Sequence, residues 1–187
     1  MHDPSDIEAL RLNYRDYVAN VCHTGRVEVV NGKWIEAPSR GNYDGALAFG
    51  AFFLIERYLQ DYPRGSAFRP APAFLLRNEP LTIRVPDVAY VAAHRVAEFG
   101  AHALMTAPPD LVVEVVTATA RRAEVKERVD DFLAAGTEIA WILDACMRIC
   151  HVRRRDGTSR MFGYNEKLYS APVLPRLNLR VYELFGD

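Results

Sequence analysis

One carboxylate inside an apolar strand constrains this chain more than any other feature. Leu111-Val112-Val113-Glu114-Val115-Val116 follows Pro108-Pro109-Asp110 and leads into Thr117-Ala118-Thr119-Ala120-Arg121-Arg122. The run is almost continuously hydrophobic and rich in β-branched residues, which predicts a strand covered on both faces. Glu114 has no cation beside it in sequence. An unpaired buried carboxylate costs several kcal/mol or takes up a proton. Glu114 therefore has to meet a metal ion, a cationic side chain or a cluster of hydrogen-bond donors brought from elsewhere in the chain.

The rest of the chain can supply such a partner within one core. A length of 187 residues suits a single domain spanning 1–187. The 23 basic and 24 acidic residues nearly cancel, a balance that neither demands nor excludes a nucleic-acid partner, since a bound phosphate responds to local charge. No apolar run approaches the roughly 20 residues of a membrane span. His2, Asp3, Asp6 and Glu8 do not resemble the cationic and apolar regions of a signal peptide. The expectation is a cytoplasmic protein with no membrane partner. Cys22, Cys146 and Cys150 are an odd set without a second ligand pair at zinc spacing, and they read as small core residues. His94, His102 and His151 show no metal-ligand spacing either.

In chain order, Ile7, Leu10, Leu12, Tyr14, Tyr17 and Val18 predict an N-terminal helix over about 3–20, opened by Asp3 or Ser5 with Pro4 in its first turn. Residues 26–30 and 33–37 flank Asn31-Gly32, which predicts a tight β-hairpin. Glu28 lies on the face opposite Val27 and Val29. Taken alone it reads as a solvated strand carboxylate. Residues 43–62 carry Leu47, Phe49, Phe52, Phe53, Ile55, Tyr58 and Leu59 at helical spacing, and Tyr62-Pro63-Arg64-Gly65 ends that helix. Strands follow at 73–77, 81–85 and 87–92, then a mostly irregular excursion over 93–109. After the central strand, Val125, Val129, Phe132 and Leu133 predict a helix over 122–135 stopped by Gly136. Strands at 138–143, 148–154 and 159–164 and a docking segment at 173–185 complete an α/β or α+β domain with a mixed central sheet flanked by helices.

Two carboxylates stand out for chemistry. Asp87 opens one strand after Pro86, and Glu114 interrupts another. On neighbouring strands they can share a hard divalent cation such as magnesium or manganese. Pro109-Asp110 spells the same dipeptide as Pro86-Asp87. Asp110, however, is four residues before Glu114 on the same strand, about 13 Å away at strand rise, so those two cannot chelate one ion on a straight strand.

Four stretches together resemble a known family. Glu28-Val29-Val30-Asn31-Gly32, Arg84-Val85-Pro86-Asp87-Val88-Ala89-Tyr90-Val91, 108–117, and 136–144 with Trp141-Ile142-Leu143-Asp144 are similar, in order and spacing, to the Uma-two restriction-endonuclease family of the PD-(D/E)XK nuclease superfamily. The resemblance covers nearly the whole chain. It implies a restriction-endonuclease-like core, Mg²⁺ (or Mn²⁺) bound by Asp87 and Glu114, and hydrolysis of DNA phosphodiester bonds. Glu28 matches an acidic position of the family's first hairpin and completes the site in that reading.

The chemistry agrees with the resemblance. A bound divalent ion can activate a water, stabilise a leaving oxygen and neutralise phosphoryl charge. The superfamily places a lysine two residues after the acidic residue, where this chain has Val116. The resembled family commonly moves it to the following helix, at the position of Arg128. An arginine stays charged and cannot readily exchange a proton with water, whereas a lysine can. Family spacing thus favours Arg128 and chemical type favours Lys126, and helix geometry does not separate them. Thr117 is a candidate helix cap or site neighbour. The basic groups Arg121-Arg122, Arg153-Arg154-Arg155 and Arg160 suit either DNA phosphates or a solvated face. Two functions follow: a Mg²⁺-dependent endonuclease, for which a homodimer is the simplest way to cut both strands, or a catalytically weakened nuclease-fold protein acting as a nucleic-acid-binding or assembly module.

Overall fold

The computed structural model describes residues 17, 27–36, 42–96, 104–116 and 122–186. The predicted hairpin is present. β1 (Val27–Val30) and β2 (Lys33–Glu36) pair antiparallel, with Val30 opposite Lys33. Asn31 and Gly32 both take positive φ, 52° and 77°, as a two-residue turn of this type requires. Of the predicted N-terminal helix only Tyr17 is described. It is helical and buried, and its hydroxyl donates to the Val27 carbonyl. Cys22, His102, Thr117 and Arg121 lie outside the described residues.

The chain continues through α1 (Asn42–Asp61), β3 (Gly65–Phe68), β4 (Ala73–Arg77), β5 (Thr82–Arg84) and β6 (Val88–Ala92). A four-residue helix α2 (Ala93–Val96), β7 (Leu104–Met105), β8 (Leu111–Val116), α3 (Arg122–Ala135) and β9 (Ile139–Asp144) follow. The last elements are β10 (Ile149–Arg154), β11 (Ser159–Phe162), β12 (Lys167–Leu168), β13 (Leu179–Arg180) and a 3₁₀ turn, Val181–Phe185. The expected mixed central sheet is present, in the order β11-β10-β9-β8-β6-β3, with β8 and β9 parallel and the other pairs antiparallel.

Two features go beyond the sequence reading. Gly65 does not only end a helix; it begins β3, which pairs with β6. A Cβ at Gly65 would overlap the Val91 carbonyl oxygen, so glycine is what lets these strands close. The first hairpin also does not join the central sheet. It belongs to a second sheet, ordered β2-β1-β5-β4-β7. The chain passes from β5 in that sheet to β6 in the central one through Val85-Pro86-Asp87.

The alternation of β8 assigns its two faces. Leu111, Val113 and Val115 pack with Trp141 against Leu47, Leu54 and Ile55 of α1. Val112 and Val116 pack with Ala140 against Val125, Val129 and Phe132 of α3. Glu114 shares the parity of Val112 and Val116 and so faces α3. The central sheet is covered on both faces, as the apolar run of β8 required, and the one charge in that run points at a helix that carries an arginine.

Candidate functional site

The site forms where the two sheets meet beneath α3. Val88 pairs with Val113, so one further antiparallel step brings Asp87 opposite Glu114. An Asp87 carboxylate oxygen accepts the Val115 N–H at 2.8 Å, fixing this side chain against β8. In the second sheet Val29 pairs with Ile83, and the same one-step extension brings Glu28 opposite Arg84. The five charged side chains of this junction, Glu28, Arg84, Asp87, Glu114 and Arg128 from α3, are all buried.

Arg128 joins the two sheets. Its Nη1 donates to both oxygens of Glu28 at 2.6 Å. Its Nη2 donates to the Val85 carbonyl at 2.7 Å and to Glu114 Oε1 at 3.2 Å, and its Nε donates to Glu114 Oε2 at 3.3 Å. A guanidinium has five N–H donors, and these contacts engage all five. Burial lowers the pKa of Arg128, but the Glu114 and Glu28 carboxylates outweigh that and raise it above the ordinary arginine value. The group stays a fixed positive charge.

Glu28 holds more than one cation. Besides Arg128 it accepts the Val85 N–H at 2.8 Å and Arg84 Nη1 at 3.1 Å. Arg84 in turn forks onto Asp131 of α3 at 2.8 and 2.7 Å and reaches Glu127 at 3.3 Å. Glu28, 1 % exposed, is therefore not the solvated strand carboxylate that alternation alone suggested. Its outer-looking face is covered by β5 and α3, which arrive from distant sequence. Arg84 was missed as a site residue, although a single charge between Ile83 and Val85 is the same signal that drew attention to Glu114.

The two candidate cations on α3 are far from equivalent. Arg128 lies among the carboxylates. Lys126 is exposed and pairs with Asp130 one turn along the helix. It lines a surface cavity of about 440 Å³ with Val116, Arg122, Asp144, His151 and Arg153, none of which belongs to the carboxylate cluster. Asp110 is also elsewhere. Its oxygens accept the Ala92 N–H and Arg95, so it ties β8 to β6 and α2. Asp144 accepts the N–H groups of Cys146 and Met147, shaping the turn before β10. Of the basic groups, Arg122, Arg153, Arg155 and Arg160 pair with Asp144, Asp130, Glu138 and Glu166, as a solvated face would.

The family model Uma2, described as "Putative restriction endonuclease", matches residues 15–182. The chain belongs to the Uma2 family. No curated protein matches the sequence. Among solved structures, a crystal structure from Anabaena variabilis ATCC 29413, described as "a putative nuclease belonging to DUF820", is similar with a TM-score of 0.76 at 18 % identity. The match covers 86 % of this chain and 89 % of that one. At this identity the likeness concerns the fold, and it agrees with the α/β, nuclease-like architecture of this Uma2 chain. Glu28, Arg84, Asp87, Glu114 and Arg128 all fall inside the stretch that the family model matches.

Among the described residues, no group of three or more His, Cys, Asp or Glu side chains is arranged to hold a metal ion. Magnesium does not need one, because it is commonly held by one or two carboxylates together with waters and substrate phosphate oxygens. Asp87 and Glu114, at opposed register positions, are two carboxylates of the kind such a site would use. Three buried carboxylates (Glu28, Asp87, Glu114) against two buried guanidiniums (Arg84, Arg128) also make the junction favourable for added positive charge.

Proposed function

We propose that this protein is a divalent-metal-dependent endonuclease that hydrolyses phosphodiester bonds of DNA, built as one restriction-endonuclease-like domain over 1–187 and acting in the cytoplasm, with a homodimer as the cutting unit. The observation that carries this reading is the opposition of Asp87, just before β6, and Glu114 of β8, on the face that α3 covers with Arg128. In this reading Asp87 and Glu114 hold Mg²⁺ or Mn²⁺, which when bound lowers the pKa of a water and neutralises phosphoryl charge.

The chain's own residues have distinct parts in that chemistry. The Val115 N–H orients the Asp87 carboxylate. Arg128 supplies fixed positive charge and, with its raised pKa, serves as an electrostatic stabiliser and not as a proton carrier. Glu28 positions Arg128 from the second sheet. Lys126, on the exposed flank of α3, is better placed to meet a DNA backbone than to touch the reacting atoms.

The test is nicking of supercoiled DNA by pure protein in Mg²⁺ or Mn²⁺, beside Asp87→Ala and Glu114→Ala variants shown by circular dichroism to be folded. Cleavage lost in both variants supports the assignment, and cleavage that survives both substitutions overturns it.

One observation favours a second reading. All five N–H donors of Arg128 are engaged inside the protein, and no lysine occupies the junction among the described residues. A nuclease-fold protein that binds nucleic acid without cutting would show salt-dependent DNA binding and no cleavage with any divalent ion.

A further inference from the structure

The contacts of Arg128 are unequal, and the inequality has a direction. On one side the guanidinium is held tightly, at 2.6 Å to each Glu28 oxygen and 2.7 Å to the Val85 carbonyl. On the other side its Nε and Nη2 edge meets Glu114 at 3.3 and 3.2 Å. Charge-assisted hydrogen bonds of this kind are ordinarily about 2.7–2.9 Å, so the Glu114 side is the loose one. Glu28 also accepts from Arg84 and the Val85 N–H, so it stays bound into the junction independently of Arg128. If one contact yields, it is Arg128 to Glu114, with the guanidinium still anchored to Glu28.

We infer that Arg128 is a latch on Glu114, and that its release couples divalent-cation binding to phosphodiester binding. The inference rests on the reading of Asp87 and Glu114 as metal ligands given above. Both oxygens of Glu114 accept from Arg128 in the latched state, so a cation seeking Glu114 competes with a guanidinium already there. When Glu114 turns from Arg128, two things are exposed together: a carboxylate that can face a cation, and the Nε/Nη2 edge of an arginine. That edge is the fork that grips phosphate oxygens in parallel. The phosphate would replace the two bonds that Arg128 loses, and it would supply the oxygen ligands that a two-carboxylate site lacks. Each ligand thereby offsets the cost of admitting the other, and by linkage the effect on the two affinities is equal.

Calorimetric titration of Mn²⁺ into the full chain, with and without a short DNA duplex bearing phosphorothioate linkages, tests this. The comparison uses wild type, Arg128→Lys, Asp87→Ala and Glu114→Ala. Arg128→Lys keeps the charge beside Glu28 but cannot fork onto both carboxylates, so it opens the latch without stranding Glu28. Wild type is expected to bind Mn²⁺ about tenfold more tightly or better with duplex present. Arg128→Lys should bind Mn²⁺ several-fold more tightly than wild type without duplex and respond less to its addition. Equal wild-type affinity with and without duplex, removed by Asp87→Ala or Glu114→Ala, overturns the latch and leaves the metal reading standing. Absence of Mn²⁺ binding from folded wild type and Arg128→Lys, with and without duplex, overturns both. Arg128→Ala, with its fold checked by circular dichroism, supports the latch if it too gains Mn²⁺ affinity.

Discussion

Arg128 Nη1 lies 2.6 Å from both carboxylate oxygens of Glu28, a residue 100 positions earlier in the chain. This contact ties α3 to the second sheet, and it decides how the rest of the junction behaves. Glu28 compensates two guanidiniums at once, so its loss is not the loss of one hydrogen bond.

Glu28→Gln is therefore expected to destabilise the protein by about 1.5–3 kcal/mol, the cost of losing charge-assisted hydrogen bonds to two buried arginines that keep Glu114 and Asp131 as partners. Urea unfolding followed by circular dichroism checks this. A fall of less than about 1 kcal/mol would mean that Glu114 and Asp131 alone compensate the two arginines.

Lys126→Ala should do almost nothing to stability. Its partner Asp130 is four residues along an exposed helix face, and such pairs contribute about 0.3–0.5 kcal/mol. On the same urea measurement the two substitutions should differ severalfold, although both remove one member of an ion pair.

Gly65→Ala should weaken the edge of the central sheet by about 1–3 kcal/mol, because the added methyl overlaps the Val91 carbonyl oxygen and the Tyr90 ring. Amide exchange across β3 and β6 is the sensitive readout. Exchange that stays slow at Ser66 and Ala67 in the variant would contradict the prediction.

Stability should also fall at high pH. Tyr17 is pushed up to about 12 by burial and then by the Glu28 charge, and Tyr90 to about 12 by burial and then by Asp110. Both pKa values lie above the unfolded value of about 10, so the folded state keeps protons that the unfolded state releases. The stabilisation is complete below about pH 10 and is lost as pH rises from there through 12. Urea midpoints across that window test it, with Tyr90→Phe expected to flatten part of the slope.

Much of this architecture is readable from local signals. Asn31-Gly32 predicts its hairpin because two adjacent positive-φ positions suit few other residues. Helix α3 matches its predicted bounds, 122–135, because its apolar stripe and Gly136 stop are both strong. The partner demanded by Glu114 exists, and it is the cation one helix later.

What was not readable depends on distant coverage. Alternation shows that Glu28 opposes Val27 and Val29, yet which side of a hairpin is buried depends on what packs there, and β5 and α3 come from far along the chain. Strand β3 is four residues, two of them small and one a glycine, directly after a helix stop, so its local pattern is indistinguishable from a turn. The split into two sheets turns on Val85-Pro86-Asp87, where the sequence marks a break between two strands but does not say that they enter different sheets.

That short passage has a consequence for how the molecule comes apart. β5 and β6 are joined by so little chain that neither sheet can drift from the other, and the ionic junction sits at the seam. Pulling the sheets apart would expose apolar faces and separate opposite charges in the same movement. The two sheets should therefore melt as one cooperative unit, and a cut placed between 84 and 88 should yield two fragments that each fail to fold alone.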